Sequence, residues 1–130
     1  LLARLAATGL PLLIDRGAGG EEAARVDRAL RQARIRSTAV RILDGAFAPF
    51  AGMIASSRLF VGYDSAGGHV AAACGTPLVS VFAGFPTPRM FDRWRPCGRG
   101  SIRVVRAGAP DPAIVLAETI AALEYSIEKS

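Results

Sequence analysis

The sequence alternates short apolar segments with longer amphipathic ones along its whole length. Five segments of five or six mostly apolar residues have the pattern of buried strands, at 11–15, 38–43, 58–62, 78–82 and 102–106. Helical patterns lie around them, at 1–8, 21–34, 46–57, 65–74 and from 111 onwards. This strict alternation predicts a parallel sheet with helices on both faces, which is a three-layer α/β/α architecture in a single domain covering residues 1–130.

Residue chemistry at the segment ends supports these boundaries. Gly75 and Pro77 are typical helix stops, and Asp111-Pro112 is typical of a helix start. Residues 84–100 contain three prolines and are predicted to form a long loop. The apolar spacing predicts inward faces made of Ala23, Val26, Leu30 and Ala33 in the second helix, Phe47, Phe50 and Ile54 in the third, and Leu116, Ile120, Leu123 and Ile127 in the last.

Composition excludes several classes of protein. With 51% hydrophobic and 21% charged residues, a chain of 130 residues is not disordered. Two cysteines, Cys74 and Cys97, and one histidine, His69, rule out a disulfide scaffold and a Cys-rich or multi-histidine metal site, so we expect no metal and no cofactor. No apolar run reaches the roughly 18 residues of a transmembrane helix, and no signal-peptide pattern is present. We expect a soluble domain cut from a longer chain.

The net charge of +5 raises the question of an anionic partner. The arginines of 25–36 are interspersed with acidic and apolar residues, and no platform of aromatic and basic side chains accompanies them. Such a distribution argues against nucleic acid as the partner.

The most informative stretch runs from Leu59 to Pro86. A strand ends near Gly62, a turn with the sequence YDSAGG follows, and a helix begins. Gly67 and Gly68 allow a close approach to the backbone, and amides at a helix N-terminus form a ready phosphate site. Ser65 can cap this helix, His69 can donate to a phosphate or a leaving oxygen, and Asp64 can orient the imidazole. The alternative is a simple N-cap at Asp64-Ser65 with a solvent-facing His69.

The stretch DSAGGHVAAACGTPLVSVFAG resembles the signature D-[ST]-G-x-x-H-x-A-A-x-G-x-P-x-V-x-[LV]-[FY]-G of glycosyltransferase family 9, the ADP-heptose:lipopolysaccharide heptosyltransferases and their relatives. The matching positions are Asp64, Ser65, His69, Ala71, Ala72, Gly75, Pro77, Val79, Phe82 and Gly84. Ala66 replaces the usual glycine of the turn, Gly67 replaces an aliphatic residue, and AGFPTPRMFDRW replaces the usual G-P-T-[DN]-P loop. The resemblance implies the C-terminal, donor-binding half of a GT-B enzyme, which is a Rossmann-like domain.

The resemblance also implies roles for residues. Asp64, Ser65, Ala66, Gly67, Gly68 and His69 would contact the diphosphate and sugar of the donor. Glu21 or Glu22 would contact the ribose, and Leu43, Asp44 and Gly45 would form the slot for the base. The alternative for the two glutamates is a structural role, in which acidic residues in the first turn of a helix interact favourably with its dipole. The family's phosphate-binding lysine and its catalytic base would lie upstream of Leu1, so this chain would hold no catalytic base, with His69 as the stabiliser of the leaving group.

The implied function is inverting transfer of a glycosyl group, heptosyl-like, from a nucleotide-diphospho-sugar to a lipopolysaccharide or other surface-glycan acceptor. ADP is the expected nucleotide. The expected location is the cytoplasm, and it is the inner face of the cytoplasmic membrane if the full-length protein associates peripherally with that membrane. Two alternatives stay open. One is another GT-B enzyme, such as a UDP-sugar transferase or an epimerase-like protein, and the other is a non-catalytic nucleotide-binding or interaction module.

Two further features are weaker. Gly17-Ala18-Gly19-Gly20 follows a strand and opens a helix, but Glu22 occupies the last glycine position of a G-x-G-x-x-G pattern. Arg89 and Arg93 flank aromatic residues and are candidates for an anion clamp. A solvated loop with Trp94 packed on the domain is the alternative.

In a doubly wound half the first strand is central, and this chain begins inside the first helix, so that strand is expected upstream of Leu1. The strands at 11–15 and 38–43 should then lie on one side of the gap. The strands at 58–62, 78–82 and 102–106 should lie on the other.

Overall fold

The structure, a computed structural model, describes residues 1–35, 40–83, 85–107 and 111–129. Helices and strands alternate in the order α1 (Leu2–Ala7), β1 (Leu12–Asp15), α2 (Gly20–Ala33), β2 (Val40–Leu43), α3 (Phe47–Ser56), β3 (Phe60–Tyr63), α4 (Ala66–Cys74), β4 (Leu78–Ala83), α5 (Pro88–Trp94), β5 (Ile102–Ala107) and α6 (Pro112–Lys129). Every strand pair is parallel. The predicted α/β class with Rossmann-like alternation is therefore confirmed.

The chain divides into two compact units, Leu1–Phe50 and Ala51–Ser130. In the first unit β1 and β2 pair in parallel, with Leu12 opposite Val40 and Asp15 opposite Leu43. The Arg16 amide donates to the Leu43 carbonyl at 2.9 Å, which continues the ladder by one residue. Half-buried side chains line α2 where an inward face was predicted, and no described residue of this unit is fully buried.

The second unit holds a three-stranded parallel sheet in the order β3–β4–β5. The central strand β4 is its core, because Leu78, Val79 and Ser80 are fully buried and Phe82 is 2% exposed. Small residues of α4, Ala71 and Ala72, pack against the sheet, and Leu123 of α6 covers it as well. Because these side chains are small, α4 packs closely on β3 and β4, and this packing positions the N-terminus of α4 next to the sheet.

A glycine-containing segment after α5 lies directly against the backbone of α4. A side chain at Gly98 would overlap the Ala72 carbonyl, and one at Gly100 would come within 2.6 Å of the Gly75 oxygen. Pro96, which starts this segment, is buried and lies near Gly68 at the other end of the helix. The segment therefore runs along the whole of α4, and only glycine fits at its two closest approaches.

Several predictions about elements were wrong. The predicted loop 84–100 contains α5, whose first turn is capped because the Thr87 hydroxyl accepts the Met90 amide at 3.3 Å. Phe47 is 53% exposed and Leu116 is 42% exposed, although both were assigned to inward faces. In α6 the buried positions are Thr119, Leu123 and Ser126. The predicted second strand began at residue 38, and residues 38 and 39 lie outside the described part of the chain.

The strands group as predicted. β1 and β2 form one sheet, and β3, β4 and β5 form another, with no pairing between the two sets in the described part of the chain. The first sheet has Leu13 and Ile42 each 43% exposed, which is unusual because parallel sheets are normally covered on both faces. The central strand expected between the two sets stays a prediction.

Candidate functional site

The turn between β3 and α4 lies at the carboxyl end of β3. The Asp64 amide donates to the Val81 carbonyl at 3.0 Å, so strand pairing continues one residue beyond β3. Ser65 is extended, with φ −158° and ψ 168°, and is the N-cap of α4. Ligands of open α/β sheets bind at the carboxyl ends of strands, so this turn is in the expected place for a site.

Two buried glycines bring the start of α4 onto the sheet. Gly67 and Gly68 are both buried, and a Cβ at Gly68 would lie 3.5 Å from Pro96 and 4.0 Å from the Ser80 hydroxyl. The Ser80 hydroxyl is itself buried and has no hydrogen-bond partner among the described residues. The first turn of α4 is thus held between β4 and the segment that begins at Pro96.

The N-terminus of α4 is uncapped by side chains. Ser65 makes no capping hydrogen bond, and the exposed Asp64 carboxylate accepts none from the described residues. The structure therefore shows neither the predicted contact of Asp64 with the His69 imidazole nor the alternative, a side-chain cap from Asp64 or Ser65. Because both side chains are exposed, water can satisfy them. The Gly68 amide donates to the Ser65 carbonyl at 3.1 Å, and the amides of Ala66 and Gly67 have no side-chain cap among the described residues. The positive end of the helix dipole lies at these amides.

His69 is the fourth residue of α4 and is exposed. No described residue donates to its ring or accepts from it. A solvent-facing histidine one turn into the helix suits a group that meets a ligand, and it also suits the alternative of a plain surface residue. In the described ranges no three His, Cys, Asp or Glu side chains are grouped as a metal site would require.

The two candidate glutamates of the first unit differ in what they contact. Glu22 folds back on the turn before α2, and its Oε2 accepts the Ala18 amide at 3.0 Å. Gly17 has φ +80°, and a Cβ there would lie 2.8 Å from the Glu22 Cβ. Glu21 is exposed and forms a surface ion pair with Arg25 at 3.2 Å. Glu22 therefore shapes the turn, while Glu21 is accessible.

Arg16 connects the loops that follow β1 and β2. Its guanidinium contacts Asp27 of α2 at 2.7 Å and Asp44 at 3.4 Å. The hydrogen bond and charge of Asp27, with a smaller contribution from Asp44, raise the pKa of Arg16 above its usual value. Leu43 is half-buried at the end of β2, and Gly45 is exposed beside Asp44. The three residues predicted to form the slot for the base therefore lie at the end of β2 and directly after it, and the Arg16 guanidinium binds the Asp44 carboxylate.

Arg89 and Arg93, the candidate anion clamp, lie on α5 and are exposed. Trp94 is 58% exposed, so the alternative in which Trp94 packs on the domain does not describe this structure. Phe91 is the buried residue of α5, and its ring meets Phe82 edge-on at 5.3 Å between centroids. This aromatic contact holds α5 at the carboxyl end of β4.

An open groove of about 530 Å³ lies elsewhere, between β5 and α6. Its lining includes Arg103, Arg106, Glu118 and Tyr125, and Arg103 stacks over the Tyr125 ring at 3.8 Å. None of the residues predicted for the donor lines this groove. Its volume alone does not make it the site, because the uncapped amides and exposed polar groups are at the α4 turn.

Sequence reasoning missed three features that support the site. Arg16 gave no signal, because it is one of many arginines in the chain. The close approach of Gly98 to α4 is a long-range contact that no local pattern shows. The helix α5 did carry a signal, since Thr87-Pro88 is a helix start of the same kind as Asp111-Pro112.

Comparison with protein families gives one match. The model of glycosyltransferase family 9 (heptosyltransferase) matches residues 2–111. This covers every element from α1 to β5, including the α4 turn, and it ends at the cap of α6. Comparisons with curated proteins and with solved structures give no match. The chain belongs to glycosyltransferase family 9.

Membership in this family indicates a glycosyltransferase. It implies a nucleotide-sugar donor and a glycan acceptor in general terms. In the part of the chain that the structure describes, no helix combines the length and apolar character needed to cross a membrane.

Proposed function

We propose that this chain is the donor-binding part of a glycosyltransferase that transfers a heptosyl-like group from an ADP-linked sugar to a lipopolysaccharide or similar surface glycan. The observation that carries the proposal is the uncapped N-terminus of α4 within the family motif. In this proposal the protein works in the cytoplasm.

The diphosphate of the donor occupies the turn in this proposal. The amides of Ala66 and Gly67 lie in the first turn of α4, where no side chain caps them, and the glycines at positions 67 and 68 place no side chain there. Charge develops on the diphosphate as the glycosyl bond breaks. The amides at the start of α4 and a hydrogen bond donated by His69 stabilise that charge, which is the electrostatic part of catalysis.

The nucleoside is assigned to the first unit. Of the two glutamates, Glu21 is the one available to a ribose hydroxyl, because Glu22 is occupied by the Ala18 amide. The exposed ion pair between Glu21 and Arg25 is worth at most about 1 kcal/mol, so it opposes such a contact only weakly. Leu43, Asp44 and Gly45 are the proposed neighbours of the base, with Asp44 held by Arg16.

Replacing His69 tests the site. In the intact protein His69→Ala should weaken donor binding or slow turnover at least tenfold, about the 1.4 kcal/mol expected of one charge-assisted contact. Cys74→Ala is the matched control, since Cys74 is an exposed residue at the other end of the same helix. Kinetics unchanged by His69→Ala, or lowered equally by both substitutions, would remove His69 from the site.

Competition between nucleotides tests the choice of donor. We expect ADP to compete with the donor far better than UDP does, as measured by inhibition of transfer or by calorimetry. Preference for UDP would favour another GT-B enzyme. Failure of the intact protein to bind any nucleotide would favour an interaction module instead.

A further inference from the structure

One side of α5 carries two arginines and two large apolar side chains, all exposed. Arg89 and Arg93 are four residues apart, and so are Met90 and Trp94, so the four share one side of the helix. Met90 is 40% exposed and Trp94 is 58% exposed, whereas Phe91 is buried against the sheet. We call these four residues the α5 face.

The chain around the α5 face is strongly basic. Between Phe85 and Ala107 there are six arginines and one carboxylate, Asp92. Arg89, Arg93, Arg95 and Arg99 are exposed and form no ion pair with the described residues. Arg106 instead stacks over the Phe91 ring at 4.2 Å, which adds a fifth positive charge next to the helix. The surface is therefore positive, since Asp92 is the one carboxylate against six arginines in this segment.

Position at the edge of the sheet adds a second argument. The turn at Asp64 and the start of α5 follow the carboxyl ends of β3 and β4, which are parallel neighbours, so both lie at the same edge. Pro96, two residues after Trp94, lies beside Gly68 at the start of α4. A partner on the α5 face is therefore next to the phosphate turn.

We propose that the α5 face docks on an anionic lipid bilayer. A helix side that presents Trp and Met between arginines suits the headgroup region, where aromatic rings partition and guanidinium groups meet lipid phosphates. A soluble anion would bind through arginines alone and would leave the exposed Trp94 and Met90 without a role. Together with the proposed function, docking here brings the donor turn close to an acceptor that is anchored in the membrane.

Vesicle binding tests the proposal on the intact protein without donor. We expect sedimentation with vesicles of phosphatidylglycerol and phosphatidylcholine in equal parts, and little with phosphatidylcholine alone. The double variant Arg89→Glu/Arg93→Glu should lower the partition coefficient at least tenfold, and Trp94→Ser should lower it severalfold. Binding should also fall at about 1 M salt, where the Debye length is about 3 Å.

The matched control is Arg28→Glu/Arg31→Glu, which makes the same charge change on exposed residues of α2. An equal loss in this control would show that net charge alone drives binding and would overturn the assignment to α5. So would equal binding to neutral vesicles, no binding at all, or an unaffected Trp94→Ser variant. Displacement by inorganic phosphate at millimolar concentration would identify a soluble-anion site instead. Thermal unfolding of each variant verifies that it is folded.

Discussion

Gly98→Ala measures how closely the segment after α5 is pressed on α4. A Cβ at this position overlaps the Ala72 carbonyl group, with the carbonyl carbon 2.7 Å away and the Cα 3.2 Å away. Carbon atoms pack best at about 3.5–4.0 Å, so the segment must move by nearly 1 Å. The obstacle is helix backbone, which has no rotamer that relieves the clash. We therefore expect a loss near the upper end of the usual overpacking cost of about 1–3 kcal/mol.

Urea denaturation of the intact protein checks this value. With a typical slope of about 1–3 kcal/mol per molar, a loss of about 3 kcal/mol should lower the midpoint of the second unit's transition by roughly 1–3 M. Gly52→Ala is the control, because Gly52 lies inside α3 with no atom within 4 Å of an added Cβ. That substitution should raise stability by about 0.5–1 kcal/mol. A Gly98→Ala protein as stable as the wild type would refute the packing argument.

Two predictions concern the first unit and use the same denaturation assay. Glu22→Ala should lower the free energy of unfolding by about 1–2 kcal/mol, because the Ala18 amide loses its acceptor. Glu21→Ala should change it by less than about 0.5 kcal/mol and should weaken nucleotide binding. A loss of stability with Glu21→Ala and a loss of nucleotide binding with Glu22→Ala would exchange the two roles. Gly17→Ala should lower the free energy of unfolding by about 1–3 kcal/mol, because the φ of Gly17 is +80° and Glu22 fills the space that a Cβ would need. Gly20→Ala is the control and should not lower stability, because a Cβ there meets no atom within 4 Å. Equal stability of the two variants would contradict this prediction.

Local chemistry at helix ends accounts for most of what the sequence could predict. Ser65 and Gly75 bound α4 as expected, with Gly75 at φ +75°. The Asp111 carboxylate accepts the Ala113 amide at 2.9 Å at the start of α6. Thr87-Pro88 carries the same signal, but the prolines around it favour a loop when the sequence alone is considered. The helix that follows has only seven residues, and its contact with the sheet comes from Phe91, a packing that the sequence does not show.

Periodicity predicted the inward face of α6 only in part, because Leu123 is buried and Ile120 and Ile127 are half-buried, whereas Leu116 is exposed. The buried positions include Thr119 and Ser126, whose hydroxyls donate to the carbonyls of Val115 at 2.6 Å and Ala122 at 2.8 Å. A hydroxyl bonded within its own helix can be buried at little cost, so the packed side of α6 includes polar residues. A pattern search that counts only apolar residues then selects Leu116, which is exposed.

The position of the candidate turn could be predicted from the sequence, but its side-chain interactions could not. The glycines and the strand–turn–helix order placed the turn at the end of β3. Whether Asp64 and Ser65 cap the helix depends on their side-chain rotamers, and the structure leaves both unbonded. The roles of Glu21 and Glu22 depend on how the turn at Gly17 folds back. Such contacts involve distances of a few ångström that residue types alone do not specify.

The most direct test of the account is the location of the diphosphate. In the intact protein, isotope-labelled and titrated with ADP, the backbone amide signals of Ala66, Gly67 and Gly68 should shift in NMR spectra, with those of Cys74 and Gly75 unaffected. AMP, which lacks the second phosphate, should move the α4 signals less. Saturable ADP binding that leaves the start of α4 unchanged would contradict the central claim that this turn holds the donor.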